Sequence, residues 1–227
     1  MARTVKEQEY AVKRNEILDV AQQMIYTKGY EQIVIRDILD AIQISKGAFY
    51  HYFDSKQALL EALIERMQQE VEQILVTIVH DPELPALKKF QRFFDVTGRW
   101  KTDHKAYLLA LVHIWHSDDN AIVRQKVQAS TIKHVAPLLT QIIQQGITEG
   151  ILTTPFPDQV AAMILFLLQG LGESFVELLL STEPKLVALQ QAKQVVAAYT
   201  YALEGLLGAP EGSLNLVDAV TLGEWFI

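Results

Sequence analysis

The chain has no cysteine among its 227 residues. Disulfides, thiolate metal sites and cysteine nucleophiles are thereby excluded, and a reducing cytoplasm fits. It also has no apolar core near its start: Met1 to Arg14 is polar, unlike a secretory signal. Its longest apolar runs, such as Ala161–Leu168, fall short of the roughly 20 residues that a membrane span needs. There is no strand-like alternation, hairpin signal, internal repeat or low-complexity tract. A Ser/His/Asp order, a glycine-rich phosphate loop and an H-E-x-x-H pattern are missing too. His113 and His116 stand three apart on a helical stretch, but no third ligand pattern joins them, and we read them as structural. The expectation is a soluble, cytoplasmic protein that is not an enzyme, with no cofactor, no metal and no membrane association.

What is present is hydrophobic and unevenly charged. Half the residues are apolar, enough for a substantial core and too many for a disordered chain. Residues 1–60 hold as many basic as acidic side chains, so the net charge of −7 rests on the remainder. An acidic body repels nucleic acid, whereas a neutral head with local basic spots need not.

Apolar spacing predicts helices throughout. Residues 1–12 read as a frayed polar start with Arg3 and Lys6 as loose cations. Helix 1 runs from Lys13 through Ile17, Leu18, Ala21, Met24 and Ile25, and Gly29 stops it. A short helix 2 spans 33–42, with Ile35, Ile38, Leu39 and Ile42 on one face. Gln43-Ile44 turns the chain, and Ser45 is placed to cap helix 3 over Lys46–Phe53. Two short helices joined by such a turn form a helix-turn-helix. Asp54 or Ser55 caps helix 4, which runs to about Val79, where His80-Asp81-Pro82 breaks it. Helices 5 to 9 are predicted at about 85–101, 104–116, 120–149, 158–180 and 184–207, with Pro137 inside helix 7. The tail 213–227 carries Leu214, Leu216, Val217, Val220, Leu222, Trp225, Phe226 and Ile227, which predicts packing against the body or a second subunit. The fold class is all-α: an N-terminal three-helix head joined by the long helix 4 to an all-helical body, about nine helices in all.

The run Gly29-Tyr30, Ile35-Arg36-Asp37-Ile38 and Ile44-Ser45-Lys46-Gly47-Ala48-Phe49-Tyr50-His51-Tyr52-Phe53-Asp54-Ser55-Lys56-Gln57-Ala58-Leu59-Leu60 resembles the DNA-binding domain of the TetR family of transcriptional regulators. The likeness covers about residues 11–71, with the motif at 34–53; residues 72–227 fit the family's effector-binding and dimerisation body only in outline. The resemblance implies a repressor that binds an inverted repeat in double-stranded DNA as a homodimer and is released by a small-molecule effector.

The DNA-facing residues it implies are Arg36, Ser45, Lys46, Gly47, Ala48, Tyr50, His51 and Lys56. Their chemistry fits. Lys46 supplies a cation at the start of helix 3, and Gly47 lets the backbone approach DNA. Ala48 suits a thymine methyl, and Tyr50 and His51 suit phosphate or base edges. Lys56 matches the family's phosphate-gripping position. Phe49 and Phe53, four apart, are expected in the head core with Ile17, Ala21 and Ile38. Three positions depart from the family pattern. Val34 replaces a capping Thr or Ser, Gln43 a turn glycine, and Ala48 a common threonine. Val34 and Gln43 motivate an alternative, a ligand-binding or adaptor protein that has lost specific DNA binding.

For the body, the family implies a partly apolar effector, with Trp100, His104, Tyr107, Leu108, Leu111, Trp115 and His134 as pocket candidates on aromatic bulk and few polar handles. It also implies a dimer through the last two predicted helices, at Ala161, Leu165, Leu168, Gln169, Gly172, Ala192, Val196, Tyr199 and Leu203, whose small residues permit close helix approach.

Overall fold

The computed structural model of the chain describes residues 2–115 and 120–226, and for residues 2–6, 26 and 113–115 the backbone only. Among the described residues ten helices run in order: α1 (Ala2–Lys28), α2 (Ile35–Ile42), α3 (Lys46–Tyr50), α4 (Lys56–Val79), α5 (Ala86–Asp103), α6 (Lys105–Trp115), α7 (Ala121–Thr148), α8 (Pro157–Leu180), α9 (Lys185–Leu207) and α10 (Ala219–Phe226). No strand occurs among the described residues. The chain divides into two compact units. One comprises residues 1–68 and 106–127, the other 69–105 and 128–227. Residues 106–127, grouped with the body on sequence, thus pack with the head, and α4 and α7 each contribute to both units.

The first unit has its own core. Ile17, Leu18, Ala21 and Ile25 of α1 meet Ile38 of α2, Phe49 of α3 and Leu59, Leu60 and Leu63 of α4; Tyr107, Leu111 and Val123 complete it. Burying a side chain of this size stabilises by about 1.5–3 kcal/mol each, so this small unit has substantial hydrophobic support. Polar ties add direction. Arg66 on α4 donates to Asp19 at 2.6 Å and to Gln22 on α1. The Gln68 amide donates to the Val127 carbonyl at 3.1 Å.

Local chemistry sets the helix ends. Gly29 takes a left-handed φ of 76° and its N–H bonds the Ile25 carbonyl at 3.0 Å, closing α1. The Ser45 hydroxyl accepts the Ala48 N–H at 3.1 Å, and the Ser55 hydroxyl accepts that of Ala58 at 3.0 Å, so Ser55 rather than Asp54 caps α4. α3 stops at Tyr50, three residues early. The amides of Tyr52 and Phe53 both bond the Phe49 carbonyl, which makes 51–53 a turn.

α1 starts at Ala2, eleven residues before the expected helix and across the stretch read as frayed. The second difference is α10, which turns the apolar tail into a tenth helix.

In the second unit α8 packs along α9, and α10 packs on α9 and α5. The tail is anchored through Glu204, a buried carboxylate on α9 that accepts the N–H groups of Gly212 at 3.1 Å and Leu214 at 2.9 Å. A charged acceptor makes such bonds strong. Trp225 donates its indole N–H to the Thr102 hydroxyl at 3.1 Å, while Leu222 and Phe226 are buried. Lys89, also buried, donates to the Val79 carbonyl at 2.6 Å and so satisfies the C-terminal end of α4 with a cation. Gly208 ends α9 at φ 61°, where a Cβ would collide with the Thr153 hydroxyl. α8 is long and apolar enough to cross a membrane by length and composition. Single apolar runs undercount it because Gln169 and Glu173 interrupt them.

Candidate nucleic-acid interface

The helix-turn-helix is made by α2, the turn 43–45 and α3, and its geometry follows from three residues. Gln43 holds φ 52° and ψ 47°, and is the only non-glycine residue at positive φ among the described residues. This left-handed residue lets the Ile44 N–H return to the Leu39 carbonyl at 3.2 Å, and the chain leaves α2 at a sharp angle. Ser45 then closes the first turn of α3. Phe49, fully buried, fastens α3 to the core, and Phe53 lies 5.8 Å from it, ring centre to ring centre.

With Phe49 inward, the rest of α3 faces out. Lys46, Gly47 and Tyr50 are exposed and Ala48 is half-buried. The Lys46 ammonium stands 5.9 Å from the Tyr50 ring centre, a cation and an aromatic hydroxyl on one edge. A Cβ on Gly47 would meet nothing closer than the Ser45 hydroxyl at 3.9 Å. The protein's own packing therefore does not require glycine there. Between α2 and α3 lies a cleft of about 480 Å³ lined by Ile35, Arg36, Leu39, Asp40, Ile44, Lys46 and Tyr50. Arg36 at its rim is 3.8 Å from Asp40, a solvated pair that a phosphate could exchange at little cost.

Val34 precedes α2 in extended conformation and makes no side-chain cap. Asp37 partly compensates: its carboxylate accepts the Val34 N–H at 3.3 Å and stands 4.0 Å from the Lys28 ammonium. Lys56, first residue of α4, lies 4.2 Å from the Tyr30 ring centre and donates to the Glu31 carbonyl at 3.3 Å. Burial lowers its pKa, partly opposed by the Glu31 charge. His51 is exposed and its ring meets Tyr10, a residue absent from the sequence-derived set. The only sequence signal for Tyr10 is an aromatic on a stretch otherwise read as disordered.

The candidate effector residues are not gathered into one place. Trp100 and His104 stack in the second unit, ring centres 4.3 Å apart and 21° between planes. Tyr107 and Leu111 are instead buried in the core of the first unit, and Leu108 belongs to that unit too. Their aromatic and aliphatic bulk serves packing. His134 is exposed on α7, 3.3 Å from the Ser130 hydroxyl. The side chains of His113, Trp115 and His116 lie outside the described residues.

Four of the dimer residues named on sequence need correcting. Ala161, Ala192, Val196 and Leu203 are buried inside the chain, and cannot face a partner. Leu165, Leu168 and Tyr199 pack against the same core, while Gly172 is half-buried and Gln169 exposed. The reason is that α8 is apolar on more than one side, and the small-residue side is used for α9. Gly170, for example, gives room to the Tyr199 hydroxyl, which a Cβ there would approach to 2.7 Å. The apolar residues left exposed are Met163, Phe166 and Leu180 on α8 and Leu186, Val187 and Tyr201 on α9.

Comparison with known proteins agrees with this geometry. Residues 17–63 match the family model described as bacterial regulatory proteins, tetR family, and residues 111–173 match a tetracyclin repressor-like C-terminal domain. The chain is 22% identical over 187 residues to the HTH-type transcriptional repressor NemR of Escherichia coli K12, covering 81% of this chain and 94% of that one. It is 22% identical over 157 residues to the repressor DhaR of a Mycobacterium species, covering 69% and 79%. The crystal structure of a TetR-family regulator from Pectobacterium atrosepticum superposes with a TM-score of 0.65 at 21% identity, covering 90% of this chain and 98% of that chain.

Proposed function

Since the chain belongs to the TetR family of bacterial transcriptional regulators, we propose that it works as a homodimeric, ligand-released repressor of the cytoplasm. Each copy sets α3 in a major groove. The two recognition helices then stand about one helical turn apart, roughly 34–36 Å, on an inverted repeat. The observation that carries this is the exposed edge of α3. Ser45 caps the helix, Phe49 locks it from behind, and Lys46 and Tyr50 stand together in front. Arg36 and Lys56 add cations from the helices on either side, and His51 lies at the end of the same helix.

The second copy covers the apolar residues left exposed on α8 and α9, with Phe166 and Tyr201 among them. Two helices from each subunit make a four-helix bundle about a two-fold axis. It also accounts for an α8 that is apolar on both sides. The effector is a partly apolar small molecule held in residues 72–227, with the Trp100–His104 stack as one wall. α4 belongs to both units, so an effector that binds two positions of α4 unequally shifts the population between DNA-competent and released states. Inserting two glycines near Glu70 uncouples effector from DNA; induction that survives unchanged overturns this route.

A second reading, an adaptor that has lost specific DNA binding, draws on Val34 without a cap and on Gln43 at positive φ. One experiment separates the two. Full-length protein selects from a pool of random-sequence duplexes, and the enriched sequence is measured by fluorescence anisotropy across salt. An enriched inverted repeat bound with a steep salt dependence supports the repressor, and Lys46→Ala then lowers the salt slope by about 2, about one for each subunit. No enriched sequence supports the adaptor.

A further inference from the structure

Tyr10 and Arg14 stand one helical turn apart on α1, so both project from the same face. The Tyr10 ring meets the His51 ring edge-on, 5.5 Å between centres and 85° between planes, and lies 4.8 Å from the Tyr52 ring. The Arg14 guanidinium is 5.2 Å from the centre of the Phe53 ring. One face of α1 therefore meets the three consecutive residues that leave α3. α3 itself has five helical residues, far below the length at which a helix holds itself in water. Its N-terminal end is fixed by Ser45 and its middle by Phe49. At its C-terminal end, His51 and Tyr52 are held by the Tyr10 ring of α1.

We propose that Tyr10 is a positioning residue of the DNA-reading head: its ring fixes the imidazole of His51 and, through Tyr52, the C-terminal end of the recognition helix. Tyr50 and His51 then meet DNA in one orientation instead of several, and the ordering cost falls on folding instead of on binding. The proposal rests on the DNA-binding reading above. It goes beyond the helix-turn-helix because the residue comes from the first turns of α1, about forty positions earlier in the chain.

The test uses the full-length protein and the duplex it selects from the random pool. Tyr10→Ala weakens specific binding about tenfold, the scale of one or two aromatic pairs, and Tyr10→Phe restores it because the ring alone makes the contact. Adding Tyr10→Ala to His51→Ala costs less than the roughly tenfold it costs alone, since part of its effect runs through His51. In the free protein, the His51 ring-proton resonances keep their wild-type positions in Tyr10→Phe and move toward solvent-exposed values in Tyr10→Ala. Specific binding by Tyr10→Ala equal to wild type, or losses at Tyr10 and His51 that multiply in full, overturns the proposal. So do His51 resonances indifferent to Tyr10→Ala, a readout that needs no DNA. A wild-type protein that selects no sequence overturns the DNA-binding reading and this proposal with it; a wild type that binds while Tyr10→Ala binds equally overturns this one alone.

Discussion

The Lys56 ammonium sits 4.2 Å from the centre of the Tyr30 ring, and the Tyr30 hydroxyl donates to the Lys56 carbonyl at 3.2 Å. The turn after α1 and the first residue of α4 thus hold each other by a cation–π contact and a hydrogen bond. The cation at the start of α4 is thereby fixed in place.

This pair makes stability depend on alkaline pH. Burial raises the Tyr30 pKa to about 12 from its ordinary 10.0. A raised folded pKa means that the contribution of Tyr30 is complete below pH 10 and is lost as pH climbs toward 12. Lys56, whose pKa is lowered, acts in the opposite sense near its ordinary 10.5. Tyr30→Phe loses the hydrogen bond, about 1 kcal/mol at neutral pH. It also flattens the fall in stability between pH 10 and 12, which denaturant midpoints of variant and wild type compare directly. Parallel curves for the two proteins would place the titration elsewhere.

Val34 is 55% exposed and starts α2 without a side-chain acceptor. Threonine has nearly the same shape and adds a hydroxyl that can take an orphan amide of the first turn. Val34→Thr should stabilise by about 1 kcal/mol, or roughly 2–4 °C in thermal unfolding. On the DNA-binding reading the added hydroxyl lies at the start of α2, two residues before Arg36, so specific DNA affinity should rise as well. Unchanged affinity with raised stability would confine Val34 to a capping role.

Gln43 pays the cost of a Cβ in the left-handed region, about 1–2 kcal/mol. Glycine removes that strain but loses more entropy on folding, about 0.5–1 kcal/mol. Gln43→Gly should therefore stabilise by about 0.5–1 kcal/mol, while Gln43→Val, β-branched at positive φ, should destabilise. Thermal unfolding of the two variants checks the order, and a stabilised valine variant would contradict it.

Much of the fold was legible because its boundaries are written in local chemistry. Gly29, Ser45, Pro85, Pro157 and Gly208 are stop or start signals whose effect depends on immediate neighbours, and α4 to α9 fall within two residues of the expected bounds. The start of α3 was legible for the same reason, through its Ser45 cap, whereas its end at Tyr50 came three residues early. What escaped depends on partners far along the chain. The first turns of α1 are polar, and the rings that Tyr10 meets lie some forty residues away. The grouping of 106–127 with the head rests on Tyr107, Leu111 and Val123 joining the head core, which spacing does not reveal. On α8, both Ala161 and Phe166 belong to apolar stripes, and a period of 3.6 does not say which stripe turns inward.

That last ambiguity is where a mutation is most informative. Phe166 is 52% exposed on α8, whereas Ala192 on α9 is fully buried within the chain. A charge at Phe166 sits in water in the isolated subunit and costs little there. Across a two-fold axis it appears twice and loses solvent in the dimer, a penalty of several kcal/mol. Phe166→Glu should thus yield a folded monomer, with dimer association weakened by at least about 100-fold and affinity for an inverted repeat falling with it. Ala192→Glu places an unpaired carboxylate in the core of the second unit, and should lose the fold itself. Sedimentation velocity with circular dichroism separates the outcomes. A helical, monomeric Phe166→Glu beside an unfolded Ala192→Glu assigns the outer stripe to the partner and the inner one to the chain's own core. A Phe166→Glu that remains dimeric at micromolar concentration moves the subunit contact to another face.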